Sequence, residues 1–157
     1  MQLISIRTFQ PRPSAKEAIP YSSEALRQDL QRVRTAWEDA QSSRNRNAIY
    51  SYLAAVYALV AWWTAEGQDL ARARRVLCLQ RLEISDREHP FAAVIRCTAD
   101  RAKADKRTRS KWSRVMRYAM AYRPDSEALG QFIRRKGGIN ECVARYGRWL
   151  RRRAKKG

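Results

Sequence analysis

The chain has 157 residues, with 33 Lys and Arg side chains against 15 Asp and Glu, so its formal net charge is +18. This length indicates a single domain, and only six Gly and five Pro favour long helices over many short strands. Cys78, Cys97 and Cys142 are too widely spaced for a disulfide framework, which indicates a reducing, cytoplasmic location. No long apolar run follows a basic start, so no secretion signal is expected.

The positive charge is concentrated in the last third of the chain. Residues 101–157 hold 19 basic and 4 acidic side chains, whereas residues 51–100 hold six of each. Such a concentration repels itself unless a polyanion neutralises it. The sequence therefore predicts nucleic acid as the partner, with DNA the first expectation and RNA the second.

The organisation of the chain predicts an all-α fold, a single-domain helical bundle of about six to seven helices with a basic C-terminal helical hairpin. Residues 1–21 are expected to form an extended N-terminal arm, because Pro11, Pro13 and Pro20 oppose helix formation. Residues 22–106 are expected to form a helical body around a buried central helix, with a possible surface for a protein partner. Residues 107–157 are expected to form a basic segment packed on that body.

The first helix is expected to begin after Ser22 or Ser23, either of which can cap it, and to end near residues 41–43. Its charged residues, Asp29 among them, are expected to face water. The residues predicted to face the core recur at helical spacing: they are Leu26, Leu30, Val33 and Trp37.

The run AIYSYLAAVYALVAWW, residues 48–63, predicts the central helix. A bilayer needs about 20 apolar residues, so this shorter run favours a buried core helix over a membrane span. Gly67 is expected to break the helix. In the next helix, about residues 69–82, Leu70, Ala73 and Leu77 are predicted to face inward. Its arginines, Arg72, Arg75 and Arg81, are predicted to point mostly outward.

Pro90 fits the first position of a further helix, since its missing N–H costs nothing there. His89, the only histidine, is predicted to be a turn or capping residue. Residues 103–111 resemble a charged join between helices. The predicted inner face of this helix consists of Phe91, Val94, Ile95, Thr98 and Ala102.

The helix predicted over residues 110–122 has the most regular pattern in the chain. Tyr118 belongs to its predicted outer face, together with Lys111, Arg114 and Arg117, and Pro124 ends it. The predicted inner stripe is Trp112, Val115, Met116, Ala119 and Tyr122.

A shorter helix is expected over residues 126–136, capped by Asp125 or Ser126 and ended by Gly137 and Gly138. Its inward residues are expected to be Leu129, Phe132 and Ile133. Asn140 is expected to cap the last helix. That helix is predicted to bury Ile139, Cys142, Val143, Tyr146 and Leu150, and to carry an outer stripe of Arg145, Arg148, Arg152 and Lys155.

The order of helix, glycine turn and basic helix suggests a helix-turn-helix, whose second helix enters the major groove of DNA. Arg134 occupies a position that normally takes a small residue, and the outer face of the last helix is almost wholly Arg. An ordinary helical hairpin is the alternative. The predicted nucleic-acid contacts are Lys111, Arg114, Arg117, Arg134, Arg135, Lys136, Arg145, Arg148, Trp149, Arg151, Arg152, Arg153, Lys155 and Lys156.

The sequence shows no pattern that is typical of a catalytic or metal site. There is one histidine, no zinc-ligand spacing of cysteines, no phosphate-binding glycine loop and no cluster of carboxylates. We therefore expect no enzyme activity, no cofactor and no metal.

Three functions agree with these features. The first is a DNA-binding regulator of bacterial or mobile-element type that holds double-stranded DNA through its C-terminal helices. The second is a helical small subunit of a ribonucleoprotein, similar in architecture to that of a CRISPR effector, which clamps a nucleic-acid backbone. The third is an inhibitor or adaptor that docks on an acidic protein. None of them requires a membrane.

Overall fold

The computed structural model describes residues 21–85 and 87–156, and within these ranges the chain forms seven α-helices and no strand. The prediction of an all-α bundle is confirmed. Residues 1–20 of the predicted arm lie outside the described residues. The helices are α1 (Ser23–Ser42), α2 (Ala48–Ala65), α3 (Asp69–Leu79), α4 (Pro90–Thr98), α5 (Lys106–Tyr122), α6 (Leu129–Arg135) and α7 (Ile139–Lys156).

Helix α2 lies at the centre of the bundle and packs against α1, α3, α4, α5 and α6. Within the described part of the chain it is also the one helix whose length and apolar composition would suit a membrane span, a test that core helices of soluble proteins pass too. Its packing agrees with the prediction of a central core helix. The buried side chains are Tyr52, Leu53, Val56, Tyr57, Val60 and Trp63.

Three aromatic rings join α1, α2 and α5 inside the core. The ring of Tyr52 lies 5.0 Å from that of Trp37 and 6.0 Å from that of Trp112, each edge to face. Such pairs stabilise a core by about 0.5–1.5 kcal/mol beyond the area they bury. The Tyr52 hydroxyl also forms a 2.8 Å hydrogen bond with Thr98 on α4. This cluster fixes α5 against the body.

The predicted cap and apolar face of helix α1 are confirmed, and the predicted exposure of one residue is wrong. The Ser22 hydroxyl accepts a hydrogen bond from the Ala25 N–H, so Ser22 is the cap, and the four predicted apolar residues are buried. Asp29 was predicted to face water and is buried. Its carboxylate accepts hydrogen bonds from the Tyr21 hydroxyl and from Arg32, and these partners make its burial possible.

Two predictions for the orientation of α3 are wrong. Leu70 is 60% exposed, whereas Arg72 is buried. The Arg72 guanidinium lies 4.2 Å from the centre of the Tyr21 ring and also faces the ring of Trp62. A planar guanidinium on a long apolar stem can pack on aromatic rings while it keeps an ionic partner, here Glu66 at 2.9 Å.

Helix α4 begins with Pro90 at its first position, and His89 is its cap, as predicted. The helix ends at Thr98 because the backbone of Ala99 is extended. Ala102 therefore lies beyond the helix and is exposed, so its prediction as an inner-face residue is wrong.

Helix α5 begins four residues earlier than predicted. The Asp105 carboxylate accepts a hydrogen bond from the Thr108 N–H and caps the helix, so much of the supposed join is its first turn. The outer assignment of Tyr118 and the inner assignment of Tyr122 are also wrong. Tyr118 is buried against Phe132 of α6, because α6 packs on that side, and Tyr122 is 46% exposed.

The boundaries of α6 and α7 differ from the prediction. Helix α6 starts at Leu129 without a side-chain cap, so neither Asp125 nor Ser126 caps it. Helix α7 starts at Ile139, and the carbonyl of Gly138 accepts the Cys142 N–H at 3.0 Å. Asn140 is therefore a first-turn residue and not the cap. The predicted burial of Leu150 is also wrong, since it is 43% exposed.

Gly137 and Gly138 form the turn between α6 and α7 with φ angles of +104° and +99°. Only glycine adopts this region readily. We expect Gly137→Ala and Gly138→Ala each to lower the free energy of unfolding by about 1–3 kcal/mol. The decrease should be larger for Gly137→Ala, because its Cβ would lie 2.9 Å from Cγ of Glu141, whereas nothing lies near a Cβ at Gly138. Urea denaturation of both variants checks this order, and an equal or reversed order would contradict it.

Candidate nucleic-acid interface

Helices α5 and α7 lie side by side and run in the same direction. Near their starts, Lys111 Nζ donates a 3.1 Å hydrogen bond to Asn140 Oδ1. Near the end of α5, the ring of Tyr122 lies 6.2 Å from that of Trp149. Because α5 ends at Tyr122, residues 150–156 of α7 extend past it. This explains why Leu150 and the six residues after it are exposed.

A basic groove lies between α5 and α7, with a volume of about 600 Å³. Four of the six lining side chains are basic and none is acidic. Two of the predicted contacts, Lys111 and Arg114, come together here. The lining residues are Lys106, Arg107, Ser110, Lys111, Arg114 and Val143.

The end of α7 carries a second basic cluster. Arg148, Arg151, Arg152 and Lys155 recur at i, i+3, i+4 and i+7, so one face of the helix presents them together around a hollow of about 290 Å³. All four were predicted contacts. Arg153 lies apart from the hollow, with its guanidinium 4.8 Å from the centre of the Trp149 ring.

A larger groove of about 670 Å³ lies between α5, α4 and the turn before α4. Seven of its thirteen lining residues are basic, and Glu88 is the only acidic one. Five of the seven were not predicted: Lys106 and Arg109 lie in the stretch that resembles a join in the sequence, and Arg87, Arg96 and Arg101 lie outside the C-terminal helices. The Asp105 cap was the signal that could have revealed Lys106 and Arg109, since it places residues 106–117 on one helix. The basic residues are Arg87, Arg96, Arg101, Lys106, Arg109, Arg114 and Arg117.

The two grooves on either side of α5 are continuous, because Lys106, Ser110 and Arg114 line both. We call this continuous region the α5 surface. Among residues 21–85 and 87–156, Lys106, Lys111, Arg114 and Arg117 have no carboxylate within ion-pair distance. The α5 surface therefore presents positive charge that the described protein does not neutralise.

Other predicted contacts are paired with carboxylates. Glu141 lies 3.3 Å from Arg145 and 3.1 Å from Arg148, and these two pairs are exposed and weak. Glu127 accepts hydrogen bonds from Arg135, and these hold the pKa of its carboxyl below the usual value. Part of the positive charge in the C-terminal third is thus already compensated within the protein.

The basic residues of α6 line none of these three grooves. The Arg134 guanidinium lies 5.0 Å from the centre of the Tyr50 ring on α2, and Lys136 lies 5.9 Å from that of Phe132. Trp149, the one aromatic residue among the predicted contacts, is only partly exposed. Its ring packs against Tyr146 at 5.5 Å and the Arg153 guanidinium lies 4.8 Å from its centre, so stacking on a base would displace one of these neighbours.

His89 lies at the edge of the larger groove and is held in one tautomer. Its Nδ1 accepts the Phe91 N–H at 3.2 Å, which leaves the proton of the neutral ring on Nε2. Burial, together with the charge of Arg117, lowers the pKa of His89 to about 4. The ring is therefore a neutral hydrogen-bond donor at physiological pH.

The described residues contain no group of three or more His, Cys, Asp or Glu side chains placed to hold a metal ion. All three cysteines are free, and burial raises the pKa of Cys97 to about 12. Comparison of the chain with protein-family models, curated proteins and solved structures found no significant match.

The low pKa of His89 makes a prediction for stability. Between pH 6.5 and 4 the unfolded chain binds a proton at this ring and the folded chain does not, so this contribution to stability is complete above pH 6.5 and falls as the pH is lowered. His89→Asn keeps a capping acceptor without a titrating ring. We expect the unfolding free energy of the variant to fall less between pH 6.5 and 4 than that of the wild type. Identical pH profiles in urea denaturation would contradict the assignment.

Proposed function

We propose that this chain is a non-enzymatic nucleic-acid-binding protein that holds the sugar-phosphate backbone in the basic groove between α5 and α7 and on the end of α7. The observation that carries the proposal is the carboxylate-free groove between α5 and α7, with four basic side chains around it. A surface that served only solubility would mix charges of both signs. The phosphates of a nucleic acid supply the negative charge that such a surface lacks.

Arginine dominates the α7 cluster, and its planar fork can bind phosphate oxygens in bidentate fashion. The last turns of α7 extend past α5, so their basic face can approach a duplex without obstruction from that helix. The major groove of B-DNA, about 12 Å wide, admits a single α-helix. These features support double-stranded DNA as the first choice of ligand.

The same features favour contact with the backbone over the reading of bases. Asn and Gln side chains, which pair with adenine, are scarce on α7, and Asn140 is engaged by Lys111. A helix-turn-helix arrangement of α6 and α7 stays a prediction, and the proposal does not depend on it. We therefore expect an affinity that varies little with the base sequence. Single-stranded nucleic acid and RNA are the alternative ligands to be compared with duplex DNA.

Binding through phosphate contacts should depend steeply on salt. Removal of one phosphate contact should reduce the slope of log Kd against log salt by about 0.9 on duplex DNA and by about 0.7 on a single strand. We expect the triple variant Arg151→Gln, Arg152→Gln, Lys155→Gln to reduce this slope by about 2–3 in fluorescence anisotropy titrations with a random duplex.

The matched control for this experiment removes three exposed arginines from α1 and from the connection between α1 and α2. Its substitutions are Arg27→Gln, Arg44→Gln and Arg46→Gln, which remove the same amount of charge. The control should keep the wild-type slope. A wild-type affinity that does not respond to salt, or equal reductions of the slope in the two variants, would refute the proposed interface.

Substitution of Glu141 should strengthen nucleic-acid binding, whereas the substitutions above should weaken it. Glu141→Gln removes the carboxylate beside Arg145 and Arg148, so both guanidiniums become available to phosphate. We expect duplex affinity to rise by about 2- to 10-fold at low salt, with one or two phosphate contacts added to the salt slope. Glu38→Gln, on the exposed side of α1, changes the net charge equally. If it raised affinity as much as Glu141→Gln, only net charge would be at work.

A further inference from the structure

The larger groove beside α5 has a shape that differs from the rest of the basic surface. Ala92, Ser110 and Ser113 are small residues among its lining, whereas the basic residues have long side chains. The volume of about 670 Å³ lies in the range of sites that enclose small molecules. It can admit a single sugar-phosphate strand but not a whole duplex.

Two N–H groups beside the groove have no acceptor among the described residues. Nε of Arg109 is buried and has no hydrogen-bond partner among the described residues. A buried donor that is unpaired costs about 1–3 kcal/mol. The Nε2 proton of His89 adds a neutral donor at the edge of the groove. Arg87 and Arg101 add positive charge with no carboxylate partner in the described part of the chain.

We propose that one phosphodiester strand of the nucleic acid lies in this groove, with its phosphates held by Arg87, Arg101 and Arg109 and one of them accepting the Nε2 proton of His89. This inference rests on the proposed function. It adds to that function the course that one strand of the nucleic acid takes across the protein. It extends the contact region beyond the C-terminal helices to residues of the turn before α4. The strand is either one chain of a duplex or a single-stranded extension from it.

The first test removes charge from this groove alone. The variant Arg87→Gln, Arg101→Gln, Arg109→Gln changes three residues that line neither the α5–α7 groove nor the hollow on α7. We expect its affinity to fall by a factor on the order of 100 at 0.1 M salt, and its salt slope to fall by about 2–3. The variant Arg27→Gln, Arg44→Gln, Arg46→Gln is again the matched control. Replacement of the three groove arginines by Lys should preserve most of the affinity, and thermal unfolding checks that each variant is folded.

Blunt duplexes and duplexes with a single-stranded extension distinguish the two sources of the strand. If the groove takes an extension, the extension should tighten binding to the wild type and not to the Gln variant. If the groove takes one chain of the duplex, the Gln variant should bind the blunt duplex more weakly as well. Equal affinities of the Gln variant and the control for both ligands would overturn the inference.

His89 gives a second readout that does not depend on affinity. It is the only histidine, so its ring signals in NMR spectra need no assignment. The charged groups around it are Arg117 on α5, Asp69 on α3, and Glu88 and Arg96 along the groove. A bound phosphate should shift these signals and raise the pH of their titration midpoint, because its negative charge stabilises the protonated ring.

The two failures can be told apart. If the wild type binds no nucleic acid, the proposed function and this inference both fall. If the wild type is saturated with a duplex or an extended duplex and neither the ring signals nor their titration change, the inference falls and the proposed function stands.

Discussion

The packing of Trp112 against Trp37 and Tyr52 is the interaction on which the arrangement of the basic residues depends. It holds the apolar side of α5 in the core and leaves the polar side outward. Since α4 and α7 pack on α5, two grooves form along it, and the basic residues of α5 line both. A hydrophobic contact inside the body thus determines where positive charge collects outside it.

The clustered positive charges repel one another and lower the stability of the fold, and carboxylates compensate only some of them. Within the described residues, Glu127 and Glu141 compensate arginines of α6 and α7 and Glu88 compensates Arg96, while Lys106, Lys111, Arg114 and Arg117 of the α5 surface are left without carboxylates. Like charges at such spacing repel each other, and the repulsion is relieved when phosphate replaces the missing counter-charge. The same feature that weakens the folded protein therefore favours the proposed partner.

The sequence predicted the elements whose pattern is local, and it failed where neighbours in space decide. The stripe on α1 and the glycine turn before α7 were predicted correctly, because side-chain spacing and backbone preference determine them. Tyr118 and Tyr122 were each assigned to the wrong face of α5, because the position of α6 determines which side of α5 is covered. The groove beside α4 could not be predicted, since Arg87, Arg101 and Arg109 come from different elements that only the packing of α4 on α5 brings together.

The central claim is that nucleic acid covers the two faces of α5 and the end of α7, and chemical acetylation of lysines tests it within one molecule. Lys106, Lys111 and Lys155 line the proposed interface, whereas Lys103 and Lys136 line none of its grooves. With duplex DNA bound at saturation, mass spectrometry should show slower acetylation of the first three and unchanged acetylation of the other two. Equal protection of all five lysines, or protection of Lys103 and Lys136 alone, would contradict the account.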